Sequence, residues 1–178
     1  VYVNDNGWEQ EPYQEYHDDP MRSHNGGDKG KLSIFEQSFR TPIIFSWKDK
    51  INTNIRINDL IHSIDISSTI LDYVKFEKDA RIGQGISFKN SINGQKPGER
   101  TIILGKSNKV RDEKDPMGRD VNAYWGRNEQ WFYKINVSDN FEALYNIDKD
   151  PQCNINVIAD NKNTARLFKH KIRERYLD

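Results

Sequence analysis

The sequence is short of several things, and each shortage removes a class of protein. It holds one cysteine, Cys153, so it has no internal disulfide framework and no multi-cysteine metal site. Neither sign of charge is in excess: Lys plus Arg and Asp plus Glu both count 27. A nucleic-acid partner is therefore not expected, since neutralising phosphates needs a basic surplus. No apolar run approaches the length of a membrane-spanning helix, and no membrane partner is expected. Hydrophobic residues make up only 35 % while asparagine is abundant, the composition of a chain with long polar loops.

What is present concentrates in residues 26–47, GGDKGKLSIFEQSFRTPIIFSW. Gly26, Gly27 and Gly30 let a ligand approach the main chain closely. Lys29 and Lys31 stand among them, and Leu32, Ile34, Phe35 and Phe39 supply an apolar surface behind. Glu36 and Arg40 have the i,i+4 spacing at which opposite charges pair on a helical turn. Pro42 ends that turn, and Ile43, Ile44 and Phe45 read as a short buried strand. A lysine presented by a glycine loop and braced by a packed turn is a site for an anion.

Val1-Tyr2-Val3 reads as another short buried strand, running into Asn4-Asp5-Asn6-Gly7. Asn6-Gly7 has two readings. The dipeptide is a hairpin signal. Asp5 and Asn6 are also one charged and one neutral oxygen donor at the carboxyl end of a strand, which suits a hard divalent cation.

Further on, Ile66, Ile70, Leu71 and Val74 fall at helical spacing, with Asp65 or Ser67 as the expected cap. Runs at 101–105, 122–126, 130–135 and 143–147 alternate with polar turns and predict an antiparallel sheet of about four strands. Thr164 to Leu177 predicts a closing amphipathic helix. The acidic loop around His17-Asp18-Asp19 has no metal-motif spacing and is expected to be solvated, as is the mixed-charge stretch 106–120.

Four segments, in order, resemble the sulfatases of the alkaline phosphatase superfamily. They are the strand-Asp5-Asn6-Gly7 pattern, Lys31-Leu-Ser-Ile-Phe-Glu36 with Arg40 and Pro42, Ile64-Asp-Ile-Ser-Ser-Thr-Ile-Leu-Asp72, and Ala143-Leu-Tyr-Asn-Ile-Asp-Lys-Asp-Pro151 with Asn156. In the third, Ser68 stands where the family usually has proline. The resemblance implies an α/β fold: the C-terminal part of an alkaline-phosphatase-like sandwich over 1–98, and a small antiparallel-sheet subdomain with a terminal helix over 99–178. It implies that Lys31 contacts the sulfate of a sulfated small molecule or carbohydrate. His24, seven residues earlier, is a second candidate, able to contact sulfate or protonate the leaving oxygen. Asp5 and Asn6 become ligands of a divalent cation, calcium or magnesium, whose other ligands come from elsewhere. The family nucleophile, a formylglycine made within Cys/Ser-x-Pro-Ser-Arg, has no counterpart in these residues. The chain is therefore expected to be the C-terminal portion of a longer protein, inactive alone and dependent on a missing N-terminal part. A phosphodiesterase or phosphonate hydrolase of the same superfamily makes similar demands on a cation and a lysine. A non-catalytic binding module with this fold is the reading from another class. Cys153 is not expected to be a nucleophile.

Overall fold

The computed structural model describes residues 1–7, 29–30, 33–52, 54–76, 85–95, 98, 100–107, 122–137 and 140–177. They form two compact units, one of residues 1–44 with 104–178 and one of residues 45–103.

The first unit is built on a four-stranded antiparallel sheet in the order β3-β4-β5-β6, numbered with the two short strands named below as β1 and β2. The strands are β3 (Ile103–Lys106), β4 (Ala123–Arg127), β5 (Trp131–Asn136) and β6 (Phe141–Asn146). β5 pairs with β4 around Trp125↔Lys134 and with β6 around Tyr133↔Leu144. Side chains alternate across the pleat, as period-two geometry requires. Tyr133 and Leu144 are wholly buried, and Tyr133 stacks at 5.9 Å on Phe168 of the terminal helix, residues Lys162–Tyr176. Ala165, Phe168 and Ile172 form the buried stripe of that helix. Gly126 admits it closely, since a Cβ there would lie 2.6 Å from the Phe168 ring. On the opposite face, Phe132, Ala143 and Tyr145 form a core with Ile147 and Cys153. Phe35 and Phe39 pack on this second face, Phe39 stacking on Trp125 at 4.3 Å. The expected sheet, its four strands and the closing helix are all present.

Phe35 and Phe39 come from the lysine segment. Glu36–Phe39 is a single helical turn, α1, ended by the extended Arg40. Glu36, 8 % exposed, accepts from Arg40 at 3.1 Å and is gripped through both oxygens by Arg127 at 3.2 Å. The i,i+4 pair is thus formed, with a second guanidinium from β4 beside it.

β1 (Tyr2–Val3) and β2 (Ile43–Ile44) form an antiparallel ribbon, Tyr2 facing Ile44 and Val3 facing Ile43. The expectation that both strands are buried needs correction. Tyr2, Val3 and Ile44 are 55 %, 44 % and 55 % exposed. A two-stranded ribbon satisfies one backbone edge of each strand and has no second layer to cover its side chains among the described residues.

In the second unit, α2 spans Ser63–Tyr73 and α3 spans Lys89–Ile92. The N-cap of α2 is His62, not Asp65 or Ser67: its Nδ1 accepts from the Ile64 amide at 3.4 Å. Asp65 sits one turn in and accepts back from the His62 amide at 2.8 Å, completing a capping box. α2 also turns its polar side inward. Asp65, Ser68 and Thr69 are buried, while Ile70 and Val74 are 40 % and 54 % exposed. The inward carboxylate is stable because it is fully partnered: it accepts from the Ile86 amide at 2.8 Å and from the Arg100 guanidinium through both oxygens. Thr69 Oγ1 donates to the Asp65 carbonyl at 2.7 Å and accepts from the Phe88 amide at 3.1 Å. Phe45 and Phe88 meet edge to face at 5.2 Å.

Candidate functional site

The first unit brings two separate stretches of sequence together: the end of β1 and the lysine segment. Asn4 is tied to Thr41 twice. Its amide donates to Thr41 Oγ1 at 3.2 Å, and its carbonyl accepts from that hydroxyl at 3.1 Å. The Gly7 amide donates to the Ser38 carbonyl of α1 at 2.6 Å. Asp5 and Asn6 lie between these two anchors and are therefore held against the segment that follows Lys31. Only glycine fits at position 7, because a Cβ would lie 2.2 Å from the Gln37 carbonyl oxygen and 2.7 Å from that of Arg40. Among the described residues β1 pairs with β2, and Gly7 makes a close backbone approach to α1.

Asp5 is exposed and Asn6 half-buried. The Asn6 amide nitrogen donates to the Gly7 carbonyl at 2.7 Å, which turns its Oδ1, the atom a cation takes, the other way. One carboxylate and one amide oxygen suit the hard oxygen donor set of calcium or magnesium. They are two ligands of a larger set: among the described residues no three His, Cys, Asp or Glu side chains gather to hold a metal ion.

Lys31 and His24 lie outside the described residues, as do His17, Asp18, Asp19 and most of the mixed-charge stretch. The flanks of Lys31 are described. The Ser33 amide donates to the Gly30 carbonyl at 3.1 Å and the Ser33 hydroxyl to the Lys29 carbonyl at 2.8 Å. The Lys29 side chain points away along the sheet's second face. Its ammonium donates to the Gln152 carbonyl and, at 2.5 Å, to Asn154 Oδ1. It also lies 5.6 Å from the centre of the Phe35 ring, and Lys134 lies 4.7 Å from the same ring.

Residues 150–155 were missed as part of this neighbourhood. Asp150 Oδ2 accepts from the amides of Asn154 and Ile155 at 2.6 and 2.7 Å, closing a turn that holds Cys153 at φ 53°. The Cys153 side chain is 2 % exposed, and burial pushes its thiol up to about 12 despite the opposing pull of Lys29. A thiol that stays protonated to that pH does not serve as a nucleophile. The available signal was Asp150-Pro151, a turn-forming dipeptide.

The family model for the C-terminal domain of N-sulphoglucosamine sulphohydrolase matches residues 27–177, and the chain belongs to that family. No curated protein matches. Among solved structures, a protein in complex with its substrate D-glucosamine-2-N,6-O-disulfate is similar at 19% identity and TM-score 0.69, over 84% of this chain and 31% of that one. A protein from work on glycosaminoglycan metabolism by Bacteroides thetaiotaomicron is similar at 19% identity and TM-score 0.68, over 97% and 37%. A 2-O GAG sulfatase is similar at 21% identity and TM-score 0.60, over 79% and 30%. The chain spans about a third of the length of these structures. The family is one of sulfatases, hydrolases of sulfuric esters.

Proposed function

We propose that this chain supplies the C-terminal portion of a sulfatase acting on a sulfated small molecule or carbohydrate. Asp5 and Asn6 are two ligands of its divalent cation, calcium before magnesium. Lys31 contacts the sulfate group, and His24 is the second group placed to contact it or to protonate the leaving oxygen. The nucleophile, a formylglycine, and the remaining metal ligands come from an N-terminal part outside these residues, and the chain alone has no turnover. When bound, the cation supplies positive charge beside the ester oxygens. Asp5 and Asn6 hold one edge of that place, and Lys31 adds a second positive group for the charge that develops on sulfate.

One observation carries this reading: Asn4–Thr41 and Gly7–Ser38 fasten the Asp5-Asn6 pair to the lysine segment. Asn4 and Thr41 are 37 positions apart, and a solvated loop lysine with a simple turn would not require their stretches to meet. One similar structure holds a sulfated substrate and another is a 2-O GAG sulfatase, which supports this reading.

The test is turnover of sulfated sugars by the full polypeptide that carries this sequence. Lys31→Ala is expected to lower kcat/KM about 100-fold, the scale of losing one charge-stabilising donor. Chelation is expected to abolish activity, with calcium restoring it. Turnover untouched by Lys31→Ala and by chelation would overturn the proposal.

A further inference from the structure

We propose that Thr41 is a positioning residue for the pair Asp5 and Asn6: its hydroxyl fixes their backbone before a divalent cation arrives and so tightens the binding of that cation. The inference rests on Asp5 and Asn6 being ligands of the cation. Thr41 Oγ1 meets both backbone polar groups of Asn4, accepting from its amide at 3.2 Å and donating to its carbonyl at 3.1 Å. The Pro42 carbonyl, at 3.2 Å, shares the same hydroxyl proton. Pro42 matters in a second way, because the residue before a proline is driven out of the helical region. The chain therefore leaves α1 at the extended Arg40 and runs on to meet Asn4.

The effect falls on two peptide planes. The Asn4 carbonyl belongs to the peptide that leads into Asp5, and the Gly7 amide belongs to the peptide that leads out of Asn6. Thr41 holds the first, and the Ser38 carbonyl holds the second at 2.6 Å. Peptide units are planar and stiff, so only the torsions of Asp5 and Asn6 remain between two fixed ends. The Asn6 side chain is oriented in turn by its bond to the Gly7 carbonyl at 2.7 Å. The seat beneath is firm. Phe39 stacks on Trp125 at 4.3 Å, and Arg127 grips both oxygens of Glu36 at 3.2 Å. Ligands ordered beforehand lose less conformational entropy when they bind. The Thr41 hydroxyl is engaged with backbone, so it acts through the dipeptide and does not touch the cation.

The experiment is calcium binding by the full polypeptide that carries this sequence, stripped of divalent cations by chelation and titrated in a calorimeter. Thr41→Val keeps the branched shape and removes the hydroxyl, whereas Thr41→Ser keeps the hydroxyl. Thr41→Val is expected to raise the Kd for calcium about 10-fold, the scale of one hydrogen bond's net contribution, and Thr41→Ser to bind as the parent does. A role confined to holding β1 on β2 would lower the unfolding midpoint and leave Kd alone. An unchanged Kd in Thr41→Val, with Kd raised by Asp5→Asn, overturns the positioning role and leaves Asp5 as a ligand. If the parent binds no calcium, or its Kd is indifferent to Asp5→Asn, the ligand reading fails and this inference with it. A second measurement needs no variant. In the cation-free parent, hydrogen exchange at the Asn4 and Gly7 amides is expected to be slow already. Protection that arises only after calcium is added would mean that the cation orders the pair itself, and the proposal would be overturned.

Discussion

Gly7 lies so close to α1 that its amide meets the Ser38 carbonyl at 2.6 Å and its α-carbon leaves no room for a methyl group before the Gln37 carbonyl. Both obstacles are backbone atoms and cannot swing aside. Gly7→Ala is expected to destabilise the first unit by about 2 kcal/mol, the range for overpacking a close contact. Urea denaturation will show the shift in midpoint. A midpoint equal to that of the parent would mean that the ribbon and α1 are not in contact.

The Arg100 guanidinium holds both oxygens of the Asp65 carboxylate, itself 1 % exposed. Arg100→Met leaves that charge inside with the His62 and Ile86 amides for support. The expected cost is about 3 kcal/mol, the lower end for breaking a buried pair by removing one partner. Thermal unfolding monitored by the far-ultraviolet signal of α2 checks it.

Ser68 takes the opposite direction. Its hydroxyl is buried without a hydrogen-bond partner among the described residues. Ser68→Ala removes the orphaned group and favours the helix, so a gain of about 1 kcal/mol is expected. A loss in stability would show that the hydroxyl is bonded after all.

His62 makes stability depend on pH. Burial and then the Arg100 charge lower its pKa below 6.5, and Asp65 opposes them only in part. A lowered histidine pKa means that the unfolded chain takes up the proton first. The stabilising contribution is therefore complete above pH 6.5 and falls away as pH drops from 6.5 towards the lower folded value. Protonation also removes the Nδ1 lone pair that caps α2. His62→Asn keeps a capping oxygen and does not titrate, so it is expected to flatten this slope. Denaturant midpoints on both sides of pH 6.5 for the two proteins will show whether the slope belongs to His62.

Where contacts are local, the sequence was enough. β4, β5 and β6 follow one another closely in sequence and pair as neighbours, and their aromatic and β-branched runs mark them as strands. The Glu36–Arg40 pair follows from spacing alone. The inward polar face of α2 was not legible. Ile66, Ile70 and Val74 form the apolar stripe, yet Asp65 and Thr69 are the residues with partners to meet, in Ile86, Phe88 and Arg100. Of the site, the proximity of Asp5 and Asn6 to the lysine segment was implied only by resemblance. The hold of residues 150–154 on Lys29 carries no periodic signature, because it joins positions 123 apart.

That long reach has a consequence for synthesis. Residues 45–103 are one continuous stretch and can fold as soon as they leave the ribosome. Residues 1–44 emerge before that stretch and must wait for 104–178 before their sheet and their turn exist. A premature stop after Lys149 would leave the middle unit intact and deprive Lys29 of its Gln152 and Asn154 acceptors, so damage late in these residues would be felt at a much earlier one.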